Sequence, residues 1–175
     1  MKLQRKRLIG RRARQALRSV AVLLISGLML AGCGVGRAMV IKPPDEQLRV
    51  VFVQVKEGNS PVAVPPEVKA DFMNKLNHYL HGEDGFQRGP ELTINYRFIQ
   101  YEPGSQFTRW FWGGIGNAGE ASLTVEAKYF NPANKEVATI NAEGRIGSGF
   151  FGGALSEAVD KAAEKIAEYT KTNFR

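Results

Sequence analysis

A short N-terminal segment places the strongest constraint on how this chain folds. Eight Lys and Arg residues and no acid precede an apolar stretch at residues 20–31, which leads into Leu30-Ala31-Gly32-Cys33. This order is typical of a secretory signal peptide, and the apolar stretch is too short for a transmembrane helix of about 20 residues. Because a cysteine follows the small residues, we expect cleavage between Gly32 and Cys33 and acylation of Cys33. Residues 1–32 then take no part in the fold.

The acylated Cys33 is expected to anchor the mature protein to a membrane. A diacylglycerol on its thiol and a third acyl chain on its amine exceed the two chains that stable anchoring requires. Gly34, and not an aspartate, follows the cysteine. We therefore expect the periplasmic face of the outer membrane in a bacterial envelope, with the membrane as the first partner.

Removal of the signal peptide changes the charge of the protein. The whole chain has 24 Lys and Arg residues and 17 Asp and Glu residues. All 17 acids follow Cys33, whereas eight of the bases precede it, so the mature chain keeps 16 bases and is close to neutral. The excess of positive charge that would favour binding to nucleic acid is therefore lost with the signal peptide, and no nucleic-acid partner is expected. Cys33 is the only cysteine, so its acylation leaves no thiol for a disulfide, a metal or a nucleophile.

The mature chain divides into a predicted tether and one predicted domain. Residues 33–47 form the lipidated N-terminus and a flexible tether, because Gly34, Gly36 and two prolines discourage both helix and strand. Fully extended, the tether reaches roughly 45 Å from the bilayer. Residues 48–175 are long enough to bury a core as a single periplasmic domain.

The apolar periodicity of that domain predicts the element order β-α-β-β-β-α. Runs of alternating or β-branched apolar residues predict strands at 48–55, 91–102, 122–130 and 136–146. Helical spacing predicts one helix that starts near Pro66 and ends before Gly82, and another at 154–172. The fold class is therefore α+β, with a mixed or antiparallel four-stranded sheet packed against two helices. The last three strands are predicted to form an antiparallel meander. Whether the first strand joins the sheet at its edge or in its middle is left open by the sequence, although its nearly unbroken apolar run favours the middle.

Two segments with matching patterns are the candidate contact sites. Each reads aromatic-aromatic-Gly-Gly-aliphatic, and the meander is expected to bring both to one end of the sheet. The candidate residues for contact with a partner or ligand are Arg109, Trp110, Phe111, Trp112, Phe150 and Phe151. An exposed aromatic cluster indicates a partner or membrane contact, whereas a buried one closes the core.

The residues that carry chemistry in enzymes form no complete set in this sequence. Gly114-x-Gly116-x-x-Gly119 has the spacing of a dinucleotide motif but precedes a strand, where that motif has to follow one and open a helix. His78 and His81 lack the further ligands of a metal site and fit solvated positions at a helix C-terminus. We therefore expect no catalytic residues, no metal and no cofactor.

Glycine and aromatic residues also punctuate the second half of the chain in a wider pattern. It consists of Tyr101-x-Pro103-Gly104-Ser105, Arg109, Glu120-Ala121, Gly147-x-Gly149-x-Phe151-Gly152-Gly153 and Tyr169-x-x-x-x-Phe174. The pattern resembles an uncharacterised family of bacterial lipoproteins catalogued as domain of unknown function 4410. The resemblance implies a periplasmic α+β lipoprotein domain without a known activity, and only Cys33 carries over as a functional residue. The chain departs from the family at the hairpin turn, where Pro132-Ala133-Asn134-Lys135 replaces a Thr-Gly-Lys type of turn.

Three functions are compatible with these features. The first is a non-catalytic envelope lipoprotein that binds or assembles with an envelope partner through the aromatic-glycine end or a free sheet edge, in an oligomeric state that the sequence leaves open. The second is a carrier of a small ligand or lipid, with a pocket near Trp110 and Trp112. The third and weakest is an envelope hydrolase.

Overall fold

The computed structural model describes residues 35–44, 48–103, 121–146 and 155–175. These residues form one mixed sheet and two helices, which confirms the predicted α+β class. The strands are β1 (Val35–Lys42), β2 (Phe52–Glu57), β3 (Gln87–Arg88), β4 (Leu92–Glu102), β5 (Ala121–Phe130) and β6 (Glu136–Ile146). The helices are α1 (Pro66–His81) and α2 (Leu155–Phe174).

The sheet has six strands in the order β1-β6-β5-β4-β2-β3, so the predicted four-stranded sheet was too small. The short β3 is one additional strand. The other is β1, which occupies most of the stretch predicted to be a flexible tether and pairs antiparallel with β6 from Val35 opposite Arg145 to Lys42 opposite Thr139. The apolar residues at 38–41 form this strand despite the glycines and prolines around them. Residues 35–42 are therefore part of the folded domain.

The first strand of the 48–175 domain, whose position the sequence left open, lies next to one edge of the sheet, between β4 and β3. That strand is β2, which begins at Phe52 and pairs parallel with β4 on one side and with only the two residues of β3 on the other. Val53 is fully buried, whereas Val51, just before the strand, is exposed. The sequence suggested burial on both faces, but the helices cover only one face of the sheet here.

The predicted meander of the last three strands is confirmed. β4 pairs antiparallel with β5, and β5 pairs antiparallel with β6. The β5–β6 turn places Asn134 in the left-handed region at φ 58°, which asparagine tolerates better than most residues. The Asn131 side chain accepts a hydrogen bond from the Lys135 N–H at 3.0 Å and closes the turn.

Both helices pack on the same face of the sheet. Val68, Phe72, Leu76 and Leu80 recur at helical spacing and form the buried stripe of α1. The Phe72 ring lies 4.9 Å from the Tyr96 ring and 5.3 Å from the Phe98 ring, both on β4. Small residues dominate the buried side of α2, which lets that helix approach the sheet closely. The opposite face of the sheet carries the polar residues that alternate with this core.

Candidate functional site

The end of β4, the start of β5, the end of β6 and the start of β1 lie at one end of the sheet. Glu102 at the end of β4 lies opposite Ser122, and Ala121 at the start of β5 lies opposite Ile146 at the end of β6. Val35 lies opposite Arg145 at the same end. The predicted convergence of these strand ends is therefore confirmed, and we call this end of the sheet the anchor end.

The predicted contact residues lie outside the part of the chain that the structure describes. Segments 104–120 and 147–154 contain Arg109, Trp110, Phe111, Trp112, Phe150 and Phe151. Both segments leave and rejoin the described chain at the anchor end. Gly32 and Cys33 also lie outside the described residues.

The outer edge of β1 is the most apolar exposed surface in the described residues. Four of the five exposed large hydrophobic side chains lie on this strand: Val35, Met39, Val40 and Ile41. Val40 is on the helix side, opposite the buried Ile140 of β6, whereas Met39 is on the other face, opposite Asn141. Apolar side chains on both faces are typical of an interior strand, yet within the described residues β1 has a neighbouring strand only on its β6 side.

The opposite edge of the sheet has a different character. It consists of the two-residue β3 and the exposed, charged end of β2. At the start of β2 the Glu91 carboxylate accepts hydrogen bonds from the backbone N–H groups of Val51 and Phe52, at 2.8 and 3.0 Å. A short strand, charged residues and occupied N–H groups protect an edge from pairing with another chain. β1 is longer, with eight residues, and carries four exposed large apolar side chains beside the exposed Arg37. Sequence reasoning missed this edge because the whole stretch was assigned to a tether.

The polar face of the sheet is largely charge-paired. Arg97 donates to Glu126 at 2.7 Å, Lys128 lies 3.3 Å from Glu136, and Arg145 pairs with Glu143. A shallow pocket of about 290 Å³ on this face is lined by Gly58, Asn59, Asn95, Arg97, Glu126 and Lys128. A second pocket of about 330 Å³ is lined by Arg49, Val50, Val51, Gly85, Phe86 and Arg175. Trp110 and Trp112, near which the sequence placed a ligand carrier's pocket, lie outside the described residues.

Lys75 and Ser156 form a polar contact between the two helices. Lys75 on α1 donates to Asp71 at 2.9 Å, and also to the hydroxyl and the carbonyl oxygen of Ser156 at 2.5 and 2.6 Å. The cluster joins α1 to the first turn of α2.

Two tyrosines make further polar links between the elements. Tyr79 on α1 donates to Asp160 on α2 at 2.8 Å, and its burial together with this carboxylate raises the pKa of Tyr79 to about 12. Tyr129 on β5 shares a 3.1 Å hydrogen bond with Thr170, and its complete burial raises its pKa further still. Both phenols are neutral at physiological pH and act as structural links.

The histidines and helices show no further site within the described ranges. His81 lies near the end of α1 as predicted, with its Nδ1 atom 2.8 Å from the carbonyl oxygen of Phe86. Among residues 35–44, 48–103, 121–146 and 155–175, no group of three or more His, Cys, Asp and Glu side chains could hold a metal ion. In the same ranges no helix has the length and apolarity needed to cross a membrane.

Together these features define, within the described residues, an α+β domain with a six-stranded mixed sheet, two helices on one face and an edge strand with exposed apolar side chains. Its fold is similar to that of PelC from Paraburkholderia phytofirmans, solved as a dodecamer. The two chains are 12% identical, with a TM-score of 0.53 over 81% of this chain and 99% of PelC. A variant of the same PelC dodecamer gives 13% identity and a TM-score of 0.49 over 81% and 98% of the chains. No family model and no curated protein sequence matches the chain.

Proposed function

We propose that this protein is a lipid-anchored, non-catalytic envelope lipoprotein that assembles with copies of itself through the outer edge of β1. The observation that carries the assembly is the exposure of Val35, Met39, Val40 and Ile41 on one edge strand. A contiguous exposed apolar surface marks an interaction site, and an open edge strand is a ready surface for another chain.

A second copy of the same chain is the proposed occupant of this edge. The mature chain is close to neutral, so copies do not repel one another strongly, and the β2–β3 edge is closed by Glu91 and by charged residues. Confinement to one bilayer also raises the local concentration of copies. The PelC structures that share the fold are dodecamers, which supports self-assembly on this scaffold.

The anchor in this proposal is Cys33, with the domain on the periplasmic face of the outer membrane. The support is the signal sequence that ends in Leu30-Ala31-Gly32-Cys33, and the resemblance to the domain of unknown function 4410 lipoproteins agrees with it. Cys33→Ser is expected to abolish incorporation of labelled palmitate and leave the precursor uncleaved. A Cys33→Ser protein that is still cleaved and still carries acyl chains would refute the anchor.

The assembly test compares two valines of equal exposure. Val40 on β1 is 52% exposed and Val51 is 55% exposed, away from β1. We expect the acylated protein in mild detergent to be oligomeric by light scattering, Val40→Lys to shift it to monomer, and Val51→Lys to leave it unchanged. A lysine on an edge strand is a device by which native proteins prevent edge association. A monomeric wild-type protein, or equal effects of the two lysines, would contradict assembly through β1.

A further inference from the structure

We propose that the domain stands end-on on the bilayer, with the anchor end of its sheet against the lipid headgroups and the β5–β6 turn pointing away. This inference rests on the proposed acylation of Cys33 and adds the surface of the domain that contacts the membrane. The partner is the lipid bilayer surface itself.

The covalent distance between the anchor and the sheet carries the inference. β1 begins at Val35, only two residues after Cys33. Two residues span at most about 7 Å in any conformation. The 45 Å tether expected from the sequence is therefore replaced by a link of at most about 7 Å, comparable to the thickness of one headgroup layer, so Val35 lies at the bilayer surface.

The register of the sheet then decides which other residues lie near the membrane. Val35 pairs with Arg145, and through β6 and β5 the same end of the sheet includes Ser122 and Glu102. The β5–β6 turn at residues 131–135 lies at the other end of these strands. From Ser122 to Phe130 the strand rises about 27 Å at 3.4 Å per residue. The two ends of the sheet are thus separated by nearly the thickness of a bilayer's hydrocarbon core.

The described sides of the domain offer little to hold it flat on the membrane. Several cations on the polar face pair with acids, as Arg97 does with Glu126, and two of those on α2 do the same, as Lys165 does with Glu168. A helix that lies in a membrane surface instead has an unbalanced basic face beside a large apolar one. The one apolar side is the edge of β1, which the proposed assembly covers.

The test measures the distance of each end from the headgroups. Cys33 is the only cysteine and is acylated, so a cysteine introduced elsewhere is the only free thiol. Glu102→Cys places a fluorophore at the anchor end, and Ala133→Cys places one in the distant turn; both positions are exposed. The acylated proteins are reconstituted in phosphatidylethanolamine–phosphatidylglycerol vesicles that contain a lipid with a nitroxide on its headgroup.

We expect strong quenching of the fluorophore at position 102 and none above the soluble background at position 133. Equal quenching at the two positions would show a domain that lies flat or tumbles, and it would overturn the end-on orientation while leaving the anchor intact. Absence of acyl chains by mass spectrometry would instead refute the proposed anchor, and the orientation with it.

Lengthening the link provides a second, independent readout. Twelve Gly and Ser residues inserted between Gly34 and Val35 give an r.m.s. span of about 19 Å. We expect this variant to remain acylated and to lose most of the quenching at position 102. Unchanged quenching would show that another surface of the domain holds it to the lipid, and would refute the short link as the cause.

Discussion

α2 approaches the sheet closely at Gly144 on β6, and this contact predicts a large effect of adding a side chain there. A Cβ atom added at this position would overlap the carbonyl oxygen of Ala158 and lie 2.7 Å from its carbonyl carbon and 3.0 Å from the backbone nitrogen of Ala162. All three atoms belong to the backbone of α2, so a rotamer change cannot relieve the overlap. Gly144→Ala therefore requires the whole helix to move off the sheet.

The expected cost of Gly144→Ala is about 3 kcal/mol. Extra methyl groups in a well-packed core commonly cost 1–3 kcal/mol, and the upper end applies where backbone rather than side chain has to shift. With an m value of about 1–3 kcal/mol per molar urea, this cost lowers the unfolding midpoint by about 1–3 M. Circular dichroism of the processed protein during urea titration measures the midpoint.

Gly36 provides the matched control because it pairs with Gly144 across the β1–β6 ladder. A Cβ atom there meets only side-chain atoms, namely Cγ and Cε of Lys165 at 3.1 Å and Cβ of Lys161 at 3.2 Å. The long lysine chain can move, so Gly36→Ala is expected to change stability by less than about 1 kcal/mol. If both variants unfold at the same urea concentration, α2 does not lie on Gly144 as the structure describes.

Two further predictions concern the tyrosines that link the elements. The pKa of Tyr79 is about 12 in the folded protein and near 10.0 when unfolded, so its contribution to stability is complete below pH 10 and is lost as pH rises through about 12. Urea midpoints of unfolding should therefore fall between pH 10 and pH 12, and they should fall less in Tyr79→Phe. The same dependence of the midpoint on pH in both proteins would contradict the raised pKa. Tyr129→Phe removes the hydrogen bond to Thr170 and should cost about 1 kcal/mol in the same titration at pH 7, whereas an unchanged midpoint would show that the bond contributes nothing.

The elements that sequence reasoning predicted are those with unambiguous periodicity. The buried stripe of α1 repeats every three or four residues, and β4 alternates buried Tyr96 and Phe98 with more exposed neighbours. In both, local pattern and tertiary burial agree, so the type of element and its bounds followed within a few residues. β5 and β6 were predicted for the same reason.

β1 shows where a local pattern is insufficient. Its pairing partner, β6, lies about 100 residues away, and the strand exists because β6 offers it an edge. Gly36 reads locally as a strand breaker, but here it allows α2 to pass close by. Whether such a segment forms a strand depends more on its neighbours in the fold than on the intrinsic β propensity of its residues. The exposure of Val40 and Ile41 follows from strand order, which periodicity does not encode.

The two proposals constrain each other and yield a final prediction about symmetry. Copies that stand end-on in one leaflet are related by rotation about the bilayer normal, so all β1 strands run in the same direction. Antiparallel pairing of two β1 strands would separate their Val35 residues by about 23 Å, the length of an eight-residue strand. The two-residue link cannot span that distance, so the second copy would have to lie away from its own anchor.

Assembled protein in vesicles is therefore expected to give a single depth for each labelled position. The fluorophore at Ala133→Cys should remain unquenched in the oligomer, and Val40→Lys should leave the depth unchanged while it lowers the number of copies. Time-resolved fluorescence separates quenched from unquenched populations. If half of the labels at position 133 become quenched as oligomers form, the β1 edges meet antiparallel and the end-on arrangement is wrong for the assembled state. A single unquenched population would support copies that are related by rotation about the bilayer normal. This arrangement is consistent with both the short link to the anchor and contact through the apolar edge of β1.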